Sequence, residues 1–104
     1  MRKLISLSLI ALFLTACTWV ELNPEAEQVR IVEAVHVANC KFVGTTTVSV
    51  KSDVASFKRD PEKIKSELET LARNEAIKLK GDTLVQATDI QEGEQTFKVY
   101  RCKS

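Results

Sequence analysis

Apolar residues recur with a helical period in one part of the chain, which makes that segment the clearest element of the pattern. They fall mostly at intervals of three and four residues and form one stripe on a helix: Ile64, Leu68, Leu71, Ala72, Ala76 and Leu79. Asp60-Pro61 provides an N-cap carboxylate and a proline at the first helical position. Gly81 is expected to supply the left-handed residue after the helix. The pattern predicts a helix over residues 61–80.

Alternating and β-branched residues predict four strands. They cover residues 29–36, 42–50, 83–88 and 96–102. Gly44 is expected to mark a bulge in the second strand. Glu92-Gly93-Glu94 predicts a hairpin loop between the third and the fourth strands.

The order of these elements is ββαββ, which predicts an α+β fold with one helix packed on one face of a four-stranded, mostly antiparallel sheet. Cys40 lies at the start of the second predicted strand and Cys102 at the end of the fourth. A bond between them requires these two strands to run antiparallel. Placing the fourth strand between the second and the third also keeps the third and fourth strands adjacent, as the final hairpin requires. The second and third strands are then parallel and joined by a right-handed crossover, and the expected strand order is 1-2-4-3.

The first sixteen residues differ in kind from the rest of the chain. Arg2 and Lys3 form a positive start, residues 4–14 are an apolar run, and small residues then lead to Cys17. This order is typical of a secretory signal peptide. The run is too short for a transmembrane helix, which needs about 20 apolar residues. An ordinary signal peptide cut after Ala16 is an alternative, but it prefers a small residue where Leu14 stands.

Leu14-Thr15-Ala16-Cys17 resembles the lipobox of bacterial lipoproteins. The resemblance implies cleavage between Ala16 and Cys17, a diacylglyceryl group on the Cys17 sulfur, and an acyl chain on its amine. Several such chains anchor a protein stably in a membrane. Thr18, where an Asp would imply retention at the inner membrane, implies the outer membrane, with the domain facing the periplasm. The expected division is a signal peptide at 1–16, a lipidated N-terminus and short lead at 17–28, and a domain at 29–104.

The cysteine count agrees with this assignment. Lipidation consumes Cys17 and leaves Cys40 and Cys102, which are expected to form a structural disulfide in the oxidising periplasm. A redox-active pair is the alternative, but the C-x-x-C spacing and a basic cluster near either residue are both absent from the sequence. The role of Trp19 stays open, since its ring could rest at the lipid headgroups or pack on the domain.

Charge gives little reason to expect a nucleic-acid partner. Without Arg2 and Lys3, the 15 Lys and Arg residues fall to 13 against 14 Asp and Glu, so the mature chain is nearly neutral. It also lacks a run of basic residues that would hold it to anionic lipid by charge alone.

Candidate chemistry is sparse. His36 is the one histidine, and its valine neighbours favour a strand side chain over a metal ligand or a base. Four carboxylates could bind a hard cation, but their spacing matches no EF-hand loop and solvated loop charges are favoured: Asp53, Asp60, Glu92 and Glu94. No P-loop or G-x-S-x-G motif occurs. The sequence predicts a protein that is not an enzyme and has no metal and no cofactor.

Several segments resemble a family of small Gram-negative outer-membrane lipoproteins built on a domain of unknown function. They are residues 17–22, 44–48, 71–76, 81–83 and 99–102. More distantly, residues 81–85 and 100–102 are similar to the outer-membrane sensor lipoprotein of the Rcs phosphorelay. That similarity implies envelope surveillance through protein contacts. The chain departs from the sensor in having one cysteine pair instead of two and a short lead instead of a long proline-rich one.

Two functions are therefore expected to compete. The first is an envelope lipoprotein that acts through contacts with a partner protein, as an adaptor, scaffold or stress sensor, and it predicts an exposed sheet face or strand edge. The second is a small-ligand or metal-binding periplasmic module, which predicts a concave pocket with converging polar groups.

Overall fold

The computed structural model describes residues 21–54 and 57–103, with side chains outside 53–58. The predictions on the signal peptide, Ala16, Cys17 and Trp19 lie outside the described residues. Within those residues, no helix has both the length and the apolar character needed to cross a bilayer.

The helix predicted from the apolar stripe is present as Pro61–Lys78 (α1). The carboxylate of Asp60 accepts a hydrogen bond from the N–H of Glu62 at 3.0 Å, which satisfies one of the donors left free at a helix start. The buried members of the stripe face the sheet: Ile64, Leu68, Ala72 and Ala76. Leu79 is 37% exposed and its methyl groups lie against Gly44, so the apolar stripe ends at the rim of the core.

The end of α1 differs from the prediction in one respect, because the left-handed residue is Lys80 and not Gly81. Lys80 has a φ of 63°. Its N–H donates to the carbonyl of Ile77 at 2.9 Å, and the N–H of Gly81 donates to the carbonyl of Ala76 at 2.8 Å. These two bonds form a Schellman motif with Lys80 in the position that usually carries glycine.

Gly81 is needed for close packing. A Cβ at this position would overlap the Cγ1 methyl of Val99 and would lie 3.0 Å from the carbonyl oxygen of Tyr100. The glycine thus lets the chain pass directly against the neighbouring strand after the helix, a requirement set by residues far along the sequence.

The structure has six strands in its described part. In chain order they are β1 (Arg30–Ile31), β2 (Lys41–Ser49), β3 (Asp53–Val54), β4 (Phe57–Lys58), β5 (Thr83–Gln86) and β6 (Glu94–Arg101). β3 and β4 form a separate two-stranded ribbon that the sequence did not predict. Two 3₁₀ turns, Pro24–Gln28 and Ala34–Val37, flank β1.

The main sheet has the order β1-β5-β6-β2, so the predicted order 1-2-4-3 is wrong in the position of the first strand. The part that the disulfide and the last hairpin defined is confirmed: β6 lies between β2 and β5 and is antiparallel to both. β1 instead pairs with β5, in parallel. The sheet is therefore mixed and not mostly antiparallel, although the α+β class is confirmed.

The first strand was misplaced because only a short piece of the predicted 29–36 segment is extended. After Ile31 the chain enters the 3₁₀ turn Ala34–Val37, in which Val35 is 76% exposed and Val37 is buried. The N–H of Arg30 donates to the carbonyl of Asp82 at 3.2 Å, which fixes β1 at the β5 edge. The apolar residues at 29, 31, 35 and 37 fit a single alternating strand. In the structure the first two belong to β1 or flank it and the last two lie in the turn, so the pattern could not separate the two elements.

A bulge interrupts the pairing of β2 with β6 near the start of β2. The register against β6 shifts between Phe42 and Gly44, which confirms the bulge expected at this glycine. One side packs against α1 and forms the core with the helix and the N-terminal segment; its fully buried members include Ala26, Leu68, Leu84, Phe97 and Val99. We call the opposite side the outer face.

The turn before β6 is tighter than the predicted loop. Glu92 and Gly93 have φ values of 51° and 74°, and Gln91 and Glu94 exchange two backbone hydrogen bonds of 2.9 Å. Positive φ at both central residues is the requirement of a type I′ turn. Glu94, assigned to the loop by the sequence, is the first residue of β6.

The Schellman motif predicts that Lys80→Gly stabilises the protein by about 0.5–1 kcal/mol, because glycine adopts positive φ without a Cβ penalty. Urea unfolding at pH 7 measures the difference. Lys78→Gly is the matched control: it makes the same change inside the last helical turn and should destabilise by about 1 kcal/mol. Destabilisation by both variants would contradict this account of the helix end.

Candidate functional site

The two cysteines predicted as partners lie side by side at one end of the sheet. Cys40 directly precedes β2, Cys102 directly follows β6, and the pair of Lys41 with Arg101 is next to them. Their Sγ atoms lie at disulfide-bonding distance and their Cα atoms are 4.5 Å apart, a spacing typical of a non-hydrogen-bonded antiparallel pair. The two cysteines are 62 residues apart in sequence. In the chain-entropy account, a disulfide that closes a loop of this length stabilises a protein by about 4 kcal/mol.

Asp82 holds the same end of the sheet through its carboxylate. One oxygen accepts from the N–H of Cys102 at 2.8 Å and from the hydroxyl of Thr83 at 2.9 Å, and the other accepts from the N–H of Lys103 at 2.9 Å. Burial alone would raise the pKa of Asp82, but the donors of Cys102, Lys103 and Thr83 together outweigh it and hold the pKa below its ordinary value. The charged carboxylate therefore ties the last residues of the chain to the start of β5.

Asp82 has no role among the expectations drawn from the sequence. The segment 81–83 entered only as part of a resemblance, since the N–H groups that the carboxylate binds lie 20 and 21 residues downstream. A carboxylate directly after a helix end and before a strand is the one local signal that could have drawn attention to it.

The segment before β1 is attached to α1 by polar side chains of the helix. The amide oxygen of Asn74 accepts from the N–H of Asn23 at 2.8 Å, and its amide nitrogen donates to the carbonyl of Glu21 at 2.9 Å. Arg73 donates through Nε to the carbonyl of Val29 at 3.1 Å. Residues 21–28, which the sequence analysis assigns to the lead, thus pack against the helix.

The outer face of the sheet carries an aromatic pair and a row of hydroxyl groups. The rings of Phe42 and Tyr100 meet edge to face with centroids 5.5 Å apart, and Phe42 is 53% exposed. The hydroxyls of Thr47 and Thr96 hydrogen-bond across the strands at 2.8 Å. Thr45, on the same side, is exposed. This face offers ring edges and hydroxyls to a partner while α1 covers the other side.

The edge of the sheet formed by β2 is open. In the described residues β2 pairs with β6 on one side and with no strand on the other. It is also the longest strand, at nine residues. An edge of this length presents unpaired N–H and C=O groups that can bind another extended chain.

Among the described side chains, those weighed as metal ligands or catalytic groups do not come together. His36 is exposed and lies in the 3₁₀ turn Ala34–Val37, not in a strand. Asp60 caps α1, Glu92 lies in the turn before β6, and the side chain of Asp53 lies outside the described ones. Over the described residues no three His, Cys, Asp or Glu side chains are grouped to hold a metal ion.

Two of the surface cavities in the described part of the chain offer room for a ligand. The larger, of about 840 Å³, is lined by Ser52, Arg59, Pro61, Ile64, Ile90, Glu92 and Gly93. The guanidinium of Arg59 in this cavity already has two partners, since it donates to the carboxylate of Glu67 at 2.7 Å and to the carbonyl of Lys51 at 3.1 Å. The hydrogen bond from Arg59 lowers the pKa of Glu67. The smaller, of about 490 Å³, is lined in part by His36 and Glu33.

Together these features define a small α+β domain, with one helix on a mixed four-stranded sheet and a cysteine pair at one end. Residues 20–102 match the family described as a domain of unknown function, DUF4156, and the chain belongs to this family. No curated protein and no solved structure matches it. The expected membership of a family with an uncharacterised domain is thereby confirmed, and the matched range includes the segment attached to α1.

Asp82 is expected to make the free energy of unfolding of the domain depend on pH in the acid range. Because its folded-state pKa lies below the ordinary value near 3.9, its stabilisation is present at neutral pH and is lost as the pH falls through the folded-state pKa. Asp82→Asn should destabilise by about 1–2 kcal/mol at pH 7, because an amide cannot accept from all three donors. Urea unfolding at pH 7 and pH 3, with the disulfide intact, measures both effects.

The control for Asp82 is Asp89→Asn, which changes an exposed loop carboxylate and should leave stability within about 0.5 kcal/mol of wild type. The difference between wild type and Asp82→Asn should shrink at pH 3. A difference that stays constant between the two pH values would show that the charge of this carboxylate is not what binds the chain end.

Proposed function

We propose that the chain is a lipoprotein anchored through Cys17 to the periplasmic side of the outer membrane, and that it acts through protein contacts made by the outer face and the open β2 edge. The observation that carries the second part is a nine-residue edge strand with the exposed ring of Phe42, which packs edge to face on Tyr100. Both belong to the kind of surface that adaptors and sensors use to bind extended partners.

Anchoring is supported by the N-terminal sequence. The order of a positive start, an apolar run and Leu14-Thr15-Ala16-Cys17 resembles a lipobox, and lipidation leaves an even number of cysteines. Among the described residues, Glu21 already contacts α1, and the four residues that lead to it from Cys17 span at most about 14 Å. Lipid on Cys17 would therefore keep the domain close to the membrane surface.

A contact role is favoured over ligand binding by the state of the polar groups at the larger cavity. The guanidinium of Arg59 is bound to Glu67 and to a backbone carbonyl, so it is not free to converge on a ligand. The outer face, in contrast, exposes Phe42, Thr45 and Thr47. The distant similarity to the Rcs sensor agrees with envelope surveillance through contacts, and a stress-sensing role is one form of this proposal.

Lipidation predicts that Cys17→Ala loses all acyl mass and leaves the outer-membrane fraction, because no thiol remains to carry the diacylglyceryl group. Intact-mass measurement and membrane fractionation test this. The matched control is the double variant Cys40→Ala, Cys102→Ala, which should keep both the acyl mass and the membrane association. An unmodified residue 17 in the wild-type protein would overturn the anchoring.

Contact through the outer face predicts position-dependent crosslinking in intact cells. A photoreactive amino acid in place of Phe42 should give a discrete crosslinked species, identified by mass spectrometry. The same amino acid in place of Lys65, an exposed residue of α1, should not give it. Equal crosslinking from both positions, or none from position 42, would contradict the proposed surface.

A further inference from the structure

We propose that the open edge of β2 pairs with the β2 edge of a second copy of this chain, antiparallel and centred on Thr47. This inference rests on the proposed function, because it names the occupant of one of the proposed contact surfaces. It follows from the direction of the peptide groups, the lack of blocking features, and the charges on the neighbouring strand β6.

The direction of the peptide groups in β2 is set by its bonds to the rest of the sheet. The N–H of Val50 donates to the carbonyl of Gly93 at 2.8 Å. The carbonyl of Thr96 points to the other side of β6, where it accepts from the N–H of Ala87, directly after β5, at 2.9 Å. Since peptide groups alternate along an antiparallel strand, Thr46 and Val48 bond to β6. The N–H and C=O groups of residues 45, 47 and 49 then point away from the sheet, toward the open edge.

Features that block edge pairing are confined to the start of β2. Protected edges carry prolines, lysines, inward charges or bulges. Lys41 and the bulge between Phe42 and Gly44 are such features. The stretch from Thr45 to Ser49 has no proline, no charge and no register shift, so its outward groups are free to pair.

A twofold axis at Thr47 uses this stretch and leaves the bulge outside. It places Thr45 opposite Ser49 of the second copy, Thr47 opposite Thr47, and Ser49 opposite Thr45. Each hydrogen-bonded antiparallel pair exchanges two bonds, so the three pairs would form about six. Such an arrangement is isologous, as a closed dimer requires.

The charges on β6, one strand in from the edge, favour the antiparallel direction. On the outer face Lys98 is the β6 neighbour of Thr45, and Glu94 is the β6 neighbour of Ser49. The twofold arrangement puts Lys98 of one copy and Glu94 of the other in the same row across the joined sheets, at both ends. Three strand spacings separate their backbones by about 14 Å, so extended Lys and Glu side chains bring opposite charges nearer to each other, and like charges do not meet in this row.

Cysteine crosslinking of the full-length protein tests the register. Thr47→Cys should give a covalent dimer on mild oxidation, since residues on the axis face each other. Thr45→Cys and Ser49→Cys should crosslink when mixed but not alone, because like residues would lie about 13 Å apart along the strand. Ser66→Cys, exposed on α1, is the control and should stay monomeric. Failure of Thr47→Cys to crosslink, or equal crosslinking by Thr45→Cys alone, would overturn the proposal.

A second variant tests the outward N–H itself. Thr47→Pro removes a donor that β6 does not use, so light scattering should show a monomer in place of the wild-type dimer. Thr47→Val keeps the N–H and should remain a dimer. A dimeric Thr47→Pro or a monomeric wild type would overturn the pairing. Intact mass of the same samples reports acylation of Cys17, so a failure of anchoring is read separately.

Discussion

Eight residue pairs join β2 to β6 in the described structure, and β5, α1 and the cysteine pair all make contact with this ladder or its ends. The cysteine pair closes one end of it, and the turn at Glu92 and Gly93 closes the other. β5 pairs with its far side, and α1 packs across it. Because these contacts all use β6, a change in its register would displace the core and the outer face together.

The elements that could be predicted are those whose signals are local. α1 is defined by its own apolar period and by Asp60, the turn by Glu92-Gly93, and the bulge by Gly44. The cysteine pair is long-range, but it could be predicted because the expected lipidation of Cys17 would leave only two thiols. The position of β1 could not be predicted, since it depends on Arg73 and Asp82 binding backbone groups of residues 29 and 30, far away in sequence.

In the candidate site, too, local features could be predicted and features that depend on distant parts of the chain could not. The sequence suggested an exposed face or an open edge as a class of surface, and β2 provides both. It could not say which strand would be open, because that follows from the misplaced first strand: with β1 beside β5, β2 is left at the edge. Asp82 was missed because a carboxylate that binds three donors looks, in sequence, like any other loop acid.

The attachment of Asn74 to Glu21 determines how an anchored molecule would find its partners. If Cys17 carries the proposed lipid, only four residues lead from it to Glu21, and the domain could not explore the space between the membranes on a long tether. Encounters would depend on lateral diffusion in the plane of the bilayer, where confinement raises the local concentration of other anchored molecules. Partners that diffuse freely would have to approach the membrane surface to be bound.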